Sequence, residues 1–506
     1  MILIGEHPLS VEEIIKVARH DEDCALGKRA VERIQASHNR LNLILKSGKA
    51  VYGINTGFGV FADKRINDED ISQLNRNLIL SHAVGTGSPL NQEVVRAAML
   101  VRANTLACGY SGVRLQVIEA IIDMLNKGVT PVIPSQGSLG SSGDLCPLSH
   151  LALVITRDGQ DRDEESGWAT YRGELLSGKK AMDAARLQRI VLGPKEGLAL
   201  NNGATFSAAM MAIATYEAEY LLSLASKAIG LTLEALRGAP DAFDERIHLA
   251  RGLKGQMNVA QKIREQVEGS ELVGSTHRIQ DAYSLRCAPQ IHGGVWDTTQ
   301  FVRSVLEREV NAATDNPLIF DPSVALSGGN FHGEPVALTA DYLSIALCEL
   351  GAVSERRIYR LADGKLNDGL PAMLVGSDAA EGLNSGVMIL QYTAASLVLE
   401  NQTLATPDSI HSLPTSAGQE DHNANAMTAA KHTLAIIENL QHILSIELFV
   451  AARAIDLRQK MQSGKLGKGD QETYDKIRSR VPFVGEDSLW GVQVEAVKGM
   501  VKGHLL

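Results

Sequence analysis

The sequence predicts a mainly α-helical protein, in which a smaller mixed N-terminal domain precedes a central bundle of long helices. Aromatic residues make up only 4% of the 506 residues, while Ala and Leu are abundant. This mixture favours closely packed helices over a β-sandwich. Beyond about residue 198 the helical patterns have few breakers and exceed the average globular helix of about 11 or 12 residues. Glycine-rich breaks, in contrast, interrupt the first part of the chain.

The chain divides into three predicted parts, which are residues 1–197, 198–458 and 459–506. In the first part, the segment Ser10-Val11-Glu12-Glu13 has the form of a capping box and predicts the start of a helix. In the central part, long helices are predicted roughly over 205–237, 291–314, 334–362, 384–404 and 422–458. The last part predicts shorter helices joined by turns. Bundles of such long helices commonly bury their outer faces against other subunits, so we expect an oligomer.

Composition and charge limit the possible classes of function. The formal net charge is −10, so we expect no basic surface and no nucleic-acid partner. The five cysteines are scattered without a CxxC spacing, which is typical of reduced thiols in the cytoplasm. The N-terminus has no basic region ahead of an apolar core, so no signal peptide is expected. The longest apolar segment, 207–236, contains Glu217, Glu219 and Lys227, which indicates a buried helix rather than a membrane span.

The segment 137–150, GSLGSSGDLCPLSH, combines small residues with the predicted start of a helix. In one interpretation, Ser142 or Asp144 caps this helix by accepting hydrogen bonds from first-turn N–H groups. In the other, the Gly143 nitrogen attacks the Ser141 carbonyl carbon and Ser142 then loses its hydroxyl as water. This loop would be an electrophile, helped by the unhindered glycine amide and by the adjacent helix N-terminus. The segment alone allows both interpretations.

A second glycine-rich segment, residues 52–59, contains Tyr52, Ile54 and Phe58. It has neither the GxGxxG pattern nor the Lys-Ser/Thr of a P-loop, so no nucleotide cofactor is expected. Its three large side chains would be costly to leave in water. We therefore expect a loop that folds over a bound molecule.

Polar clusters mark the starts of the predicted long helices. They are Asn201-Asn202-Gly203, QDAYSLR at 280–286, GGNFH at 328–332 and QEDH at 419–422. Each cluster by itself is explained as a turn or a cap. Helix N-termini that converge in a bundle would, however, attract an anion such as a carboxylate, with Arg286 as its bidentate partner.

Two other kinds of site are disfavoured by residue spacing. His422 and Glu420 lie two positions apart, but no HExxH pattern occurs, so we expect no metal site. A serine hydrolase would need a GxSxG nucleophile elbow, which is also absent from the sequence.

Taken together and in this order, the motifs resemble the aromatic amino acid ammonia-lyases, and most of all their histidine ammonia-lyases. The motifs are residues 52–59, Ser81-His82, 141–145, Asn202-Gly203, 283–286, Asn330-Phe331 and Gln419-Glu420. The resemblance extends from the first helix to beyond residue 455 and implies a homotetramer that shares its active sites between subunits. It also implies that Ser141, Ser142 and Gly143 cyclise into 4-methylideneimidazol-5-one (MIO), without a metal or nucleotide cofactor.

The implied reaction explains the need for such a group. The β-proton of an amino acid is barely acidic and its amine leaves poorly, so a general base alone would be inadequate. An electrophile that bonds covalently to the substrate makes the departure easier. By the resemblance, Tyr52 removes the β-proton, while Arg286 binds the substrate carboxylate with Asn202 and Tyr283.

The remaining implied roles concern the substrate side chain. Gln280 and Phe331 would line the pocket, while His82 and Glu420 would face the side chain or amine of the substrate. The dipeptides Ser81-His82 and Gln419-Glu420 are similar to those of the histidine enzymes. The implied reaction is therefore the elimination of ammonia from L-histidine to give trans-urocanate.

Several positions depart from the family pattern. Ser141 replaces the usual Ala, but only its carbonyl enters the ring, so cyclisation should still occur. Asn201, Ala204 and Thr205 also differ, and a polar Asn201 near the substrate could redirect selectivity. Two alternatives therefore stay open. One is a lyase or 2,3-aminomutase of the same family acting on another aromatic or histidine-derived amino acid, and the other is an inactive relative that serves as a binding protein.

Overall fold

The computed structural model describes residues 1–48, 50–376 and 382–506. Helices dominate it and the strands are short, which confirms the predicted fold class. The chain forms two compact units. The first comprises Met1–Tyr216, Arg303–Asp341 and Pro407–Lys431, and the second comprises Glu217–Val302, Tyr342–Thr406 and His432–Leu506. The three-part division at residues 197 and 458 stays a prediction.

The first unit contains the shorter N-terminal helices and the strands. Its helices are α1 (Val11–His20), α2 (Lys28–Lys46), α3 (Ile71–His82), α4 (Gln92–Ala107), α5 (Leu115–Lys127), α6 (Leu145–Ile155), α7 (Gly178–Ala184) and α8 (Glu196–Asn201). Its strands are β1 (Ile2–Ile4), β2 (Cys24–Leu26), β3 (Thr86–Pro89), β4 (Thr130–Pro131), β5 (Pro134–Gln136), β6 (Thr156–Arg157), β7 (Trp168–Tyr171), β8 (Glu174–Ser177), β9 (Ile190–Val191), β10 (Leu318–Asp321) and β11 (Val324–Leu326). The pairs β1–β2 and β6–β9 are parallel, whereas β3–β5, β10–β11 and the β4–β7–β8 sheet are antiparallel.

Five long helices confirm the five predicted from the sequence. They are α9 (Thr205–Leu236), α13 (Ala288–Glu309), α14 (Glu334–Ala362), α15 (Met388–Leu404) and α16 (Ala426–Met461). The shorter helices of the second unit are α10 (Glu245–Arg251), α11 (Lys254–Gln266), α12 (Tyr283–Arg286), α17 (Lys468–Arg480) and α18 (Trp490–Lys502).

Local sequence explains how the first unit begins and what lies at its centre. The predicted capping box of α1 is confirmed, because the Glu13 N–H donates to Ser10 Oγ and the Ser10 N–H donates to the Glu13 carboxylate. Helix α4 is buried at every residue from Val94 to Ala107. A helix that is buried on all sides is a core helix, and α4 places the guanidinium of Arg102 in the interior.

Helices α14 and α16 are long and apolar enough to cross a membrane when judged by length and composition alone. In each, however, 72% of the apolar window is buried within the protein. Burial of this kind is the pattern of core helices in a bundle.

Candidate active site

Seven of the predicted site residues line one cavity of about 1020 Å³ in the first unit. They are Tyr52, His82, Ser141, Ser142, Asn202, Phe331 and Glu420. Each of them is the last residue of a helix or lies in a segment between helices and strands. Side chains at such positions are not needed to pack one helix against another. Three of the four predicted polar clusters, those that contain Asn202, Phe331 and Glu420, contribute side chains to this cavity.

The loop that precedes α6 is held by a close approach of two glycines. Gly143 has a φ of +76°, and a Cβ there would lie 2.0 Å from the Gly203 carbonyl carbon, so only glycine fits. The Asp144 N–H donates to the Gly203 carbonyl at 2.9 Å, and the Gly203 N–H donates to the Ser142 carbonyl at 3.2 Å. Asn202 Nδ2 donates to the same Ser142 oxygen at 2.9 Å. The Ser142 carbonyl thus accepts from two fixed donors.

This arrangement fits the MIO group that the resemblance implies. The Ser142 carbonyl oxygen is retained when such a ring forms, so its two donors would face negative charge that develops during a reaction. Gly143 would supply the ring nitrogen from a position that tolerates no side chain. The residues present are therefore suited to hold the group.

The predicted capping role of Asp144 is wrong. Asp144 directly precedes α6, but its carboxylate makes no capping hydrogen bond to that helix. The fully buried side chain instead accepts from Ser138 Oγ at 2.8 Å and from the N–H of Ser207 at 2.9 Å. Ser207 lies in the first turn of α9, whose N–H groups also lack helical partners. Asp144 thus ties the loop to the start of α9, and burial raises the pKa of its carboxyl despite these donors.

The predicted alternative cap, Ser142, also has a different partner. Ser142 Oγ donates to Glu420 Oε1 at 2.8 Å, and Ser141 Oγ donates to Glu420 Oε2 at 2.5 Å. Glu420 is half-buried and is held by backbone hydrogen bonds in both directions with Thr415. Glu420, expected to face a substrate, therefore contacts the two serines of the loop directly.

The environments of Tyr52 and His82 shift their proton affinities in opposite directions. Burial raises the pKa of the Tyr52 phenol; the Gly59 N–H opposes this shift and the charge of Glu420 adds to it. Burial lowers the pKa of the His82 imidazole, although the Leu78 carbonyl opposes the shift. His82 Nδ1 lies 3.0 Å from Ser81 Oγ. At neutral pH the cavity therefore presents a protonated phenol and a neutral imidazole.

Three predicted residues, Gln280, Tyr283 and Arg286, belong to the second unit. Gln280 and Tyr283 are exposed, whereas Arg286 is half-buried. The Arg286 guanidinium lies 4.8 Å from the centre of the Tyr283 ring, a cation–π contact that orients the arginine. That these side chains bind a carboxylate stays a prediction.

Asn201, expected to lie near the substrate, is not among the residues that line the cavity. Asn201 is fully buried as the last residue of α8, and its Nδ2 donates to Ser149 Oγ of α6 at 3.2 Å. Ala204 and Thr205 are also buried. The side chains of consecutive residues at the end of a helix project in different directions. Asn202 therefore lines the cavity, whereas Asn201 packs in the core.

Two histidines without a predicted binding role, His332 and His422, also line the cavity. Their rings are nearly parallel, with centroids 5.9 Å apart, and His332 Nε2 lies 3.2 Å from the His422 carbonyl. Their positions in the sequence could have indicated a binding role, because each lies one or two residues after a predicted site residue in the same polar cluster.

The chain is similar to known proteins both in sequence and in fold. The family model described as aromatic amino acid lyase matches residues 9–479. The chain is 46% identical over 504 residues to the histidine ammonia-lyase of Caldanaerobacter subterraneus subsp. tengcongensis, covering 99% of this chain and 96% of that relative. The crystal structure of histidine ammonia-lyase from Trypanosoma cruzi has a TM-score of 0.90 at 35% identity, covering 100% of this chain and 94% of that chain.

Another solved structure of similar shape is the ergothioneine-degrading enzyme ergothionase from Treponema denticola, with a TM-score of 0.91 at 31% identity. The match covers 99% of this chain and 98% of that chain. With a family model that matches nearly the whole chain and relatives that align from end to end, the chain belongs to the aromatic amino acid lyase family.

Proposed function

We propose that this protein is an ammonia-lyase that eliminates ammonia from L-histidine to give trans-urocanate. The observation that carries the proposal is the placement of Ser141, Ser142 and Gly143 beside a cavity that also contains Tyr52 and His82. The 46% identity to a histidine ammonia-lyase over nearly the whole chain supports the same substrate.

The prosthetic group of the proposal is MIO, formed from Ser141, Ser142 and Gly143, and it supplies an electrophile that assists the departure of the amine. Asn202 and the Gly203 N–H would hold the ring through the Ser142 carbonyl. Tyr52 removes the β-proton of the substrate. Because the Tyr52 pKa is raised, its phenolate is a strong base once formed. Closure of the glycine-rich loop over a bound substrate would exclude water from it.

The polar end of the cavity is suited to an imidazole. Ser81 Oγ lies within hydrogen-bonding distance of both the Leu78 carbonyl and His82 Nδ1. If Ser81 donates its single proton to Leu78, it accepts from His82 Nδ1, so that His82 Nε2 is left as an acceptor. An acceptor nitrogen and the Glu420 carboxylate suit the N–H groups of an imidazole better than a phenyl ring. Phe331 lines the same cavity as an apolar wall.

The carboxylate-binding residues of the proposal are Arg286, Tyr283 and Asn202, and Gln280 would line the pocket near the substrate ring. Arginine binds carboxylates in a bidentate manner, and the contact with the Tyr283 ring orients the Arg286 guanidinium. We further propose a cytoplasmic homotetramer in which residues of different subunits complete each site. Many large apolar side chains on the long helices are exposed, including Phe301, Tyr342, Tyr392 and Leu399, and subunit contacts would bury them.

The alternative is a lyase or 2,3-aminomutase of this family acting on another aromatic or histidine-derived amino acid. The likeness to ergothionase supports a histidine-derived substrate. Asn201 no longer supports a changed substrate, because it is buried against Ser149.

Purified protein incubated with L-histidine should produce a rising absorbance of the conjugated acrylate product. The same assay with phenylalanine, tyrosine and methylated histidines, together with analysis for β-amino acids, covers the alternatives. Absence of product from histidine, with product from one of the other amino acids, would refute the proposed substrate. A wild-type chain at its full encoded mass would indicate an inactive relative, since ring formation removes two waters.

A further inference from the structure

Before any ring forms, the chain carries the hydroxyls of both Ser141 and Ser142. In this state Glu420 Oε1 lies 2.8 Å from Ser142 Oγ, and Oε2 lies 2.5 Å from Ser141 Oγ. Among the residues that the structure describes, Glu420 is the ionisable side chain that hydrogen-bonds the Ser142 hydroxyl. Its place is set by the two backbone hydrogen bonds with Thr415.

Ring formation in this loop requires two dehydration steps. In the first, the Gly143 nitrogen bonds to the Ser141 carbonyl carbon, and the Ser141 oxygen leaves as water with the amide protons of Ser142 and Gly143. In the second, the Cα–H and Cβ–Oγ bonds of Ser142 break and a Cα–Cβ double bond forms. Hydroxide leaves poorly, so Ser142 Oγ must receive a proton as its bond to carbon breaks.

We propose that Glu420 catalyses this second dehydration by taking the Cα proton of Ser142 and delivering it to Ser142 Oγ. The hydroxyl oxygen, its own hydrogen and the transferred proton leave as one water. Glu420 ends in its initial state, and no oxidant, reductant or other reactant is consumed. The inference rests on the proposed function, because it concerns the formation of the group that the lyase reaction needs.

By the same contacts, Glu420 would first act in ring formation and would then bind the substrate. When Ser142 loses its hydroxyl, Glu420 Oε1 loses the partner that it has in the unmodified chain. That oxygen then becomes available to a substrate N–H group. Ser141 keeps its hydroxyl through both dehydrations and can continue to donate to Oε2, an interaction that an alanine at this position could not make.

Intact-mass measurement tests the proposal without any assay of activity. In Glu420→Gln the amide nearly preserves the shape of the side chain but cannot carry the proton. We expect the loss of the second water to be slower by about 10²-fold or more, so the freshly made variant should have lost fewer than two waters. Asp421→Asn removes the same charge from the neighbouring cavity residue, and Ser141→Ala removes the other hydroxyl contact of Glu420; both variants should become two waters lighter, as the wild type does.

A second variant separates proton transfer from effects on folding. Glu420→Ala incubated with formate should lose the second water progressively, because a small carboxylate replaces the missing group. Full maturation of Glu420→Gln at the wild-type rate would overturn the proposal. If that variant does not fold, Glu420→Asp decides the matter: its shorter side chain should mature slowly, and a wild-type rate would again refute the role. Failure of the proposed function would differ, since the wild type would then mature but form no urocanate.

Discussion

Tyr52 is the residue on which the proposed elimination depends. Tyr52→Phe keeps the ring in the cavity wall but removes the base, so kcat should fall by about 10²- to 10⁴-fold. The electrophile does not involve this side chain, and the variant should therefore still be two waters lighter than the encoded chain. Stopped assays with urocanate detection, run beside intact-mass spectra, measure both quantities. Wild-type turnover by Tyr52→Phe would exclude Tyr52 as the base.

The pKa of Tyr52 also sets the expected pH dependence. A general base acts in its deprotonated form, and burial raises the pKa of this phenol. The kcat/KM for histidine should therefore keep rising with pH through neutrality into the alkaline range. The pKa of His82 is lowered by burial. This imidazole is therefore already neutral in the alkaline range and adds no further pH dependence to kcat/KM there. A profile that is level from acidic to alkaline pH would contradict the assignment, and the residual rate of Tyr52→Phe provides the comparison without this base.

The element that holds the loop is the paired backbone of Gly143 and Gly203. Gly143→Ala should prevent maturation, because the new Cβ would lie 2.0 Å from a backbone carbon and φ is +76°. We expect a loss of about 1 to 3 kcal/mol in the free energy of unfolding. Gly294→Ala is the matched control, since this glycine of α13 has open space around it and alanine favours helices. Intact mass and thermal unfolding measure both variants. Normal maturation of Gly143→Ala would show that the loop can form the ring in another conformation.

At the scale of the whole molecule, the proposed sharing of active sites can be tested by complementation. Tyr52 belongs to the first unit and Arg286 to the second. Tyr52→Phe and Arg286→Ala should each be nearly inactive alone. If different subunits supply these residues, mixed tetramers formed by unfolding and refolding together would contain some intact sites and regain part of the activity. Separately refolded variants, combined afterwards, are the control. No recovery, with mixed tetramers demonstrated by mass, would contradict shared sites.

The stability of the second unit should depend on a buried acid. Asp470 is fully buried, and neither carboxylate oxygen has a hydrogen-bond partner in the described part of the chain. Burial raises its pKa well above the usual range, and the charge of Glu234 adds to the shift. The folded state therefore holds this proton more tightly than the unfolded state, and its stabilisation is lost as pH rises towards the folded pKa.

Asp470→Asn removes this linkage. The variant should gain on the order of 1 kcal/mol relative to the wild type at about pH 8, with a smaller difference at about pH 5. Thermal unfolding at both pH values measures the change. An equal difference at the two pH values would mean that Asp470 does not titrate in this range.

Much of this protein is predictable from its sequence because the signals are local. Helical periodicity predicted the five long helices and the capping box predicted the start of α1. The helices and the cap depend on neighbouring residues, whose periodicity and backbone preferences are visible in the sequence itself. The residues around the cavity, including Tyr52 and Ser142, were predicted from the resemblance of the ordered motifs to a known family.

Contacts between groups that are remote in the chain could not be predicted from the sequence. Glu420 bonds to Ser142, which is 278 residues away in sequence, and Asp144 binds the start of α9 instead of capping α6. Asn201 and Asn202 look alike in the sequence, yet one packs in the core and the other lines the cavity. Hydrogen bonds depend on distance and direction in space, and these follow from how remote segments pack rather than from the residues beside them.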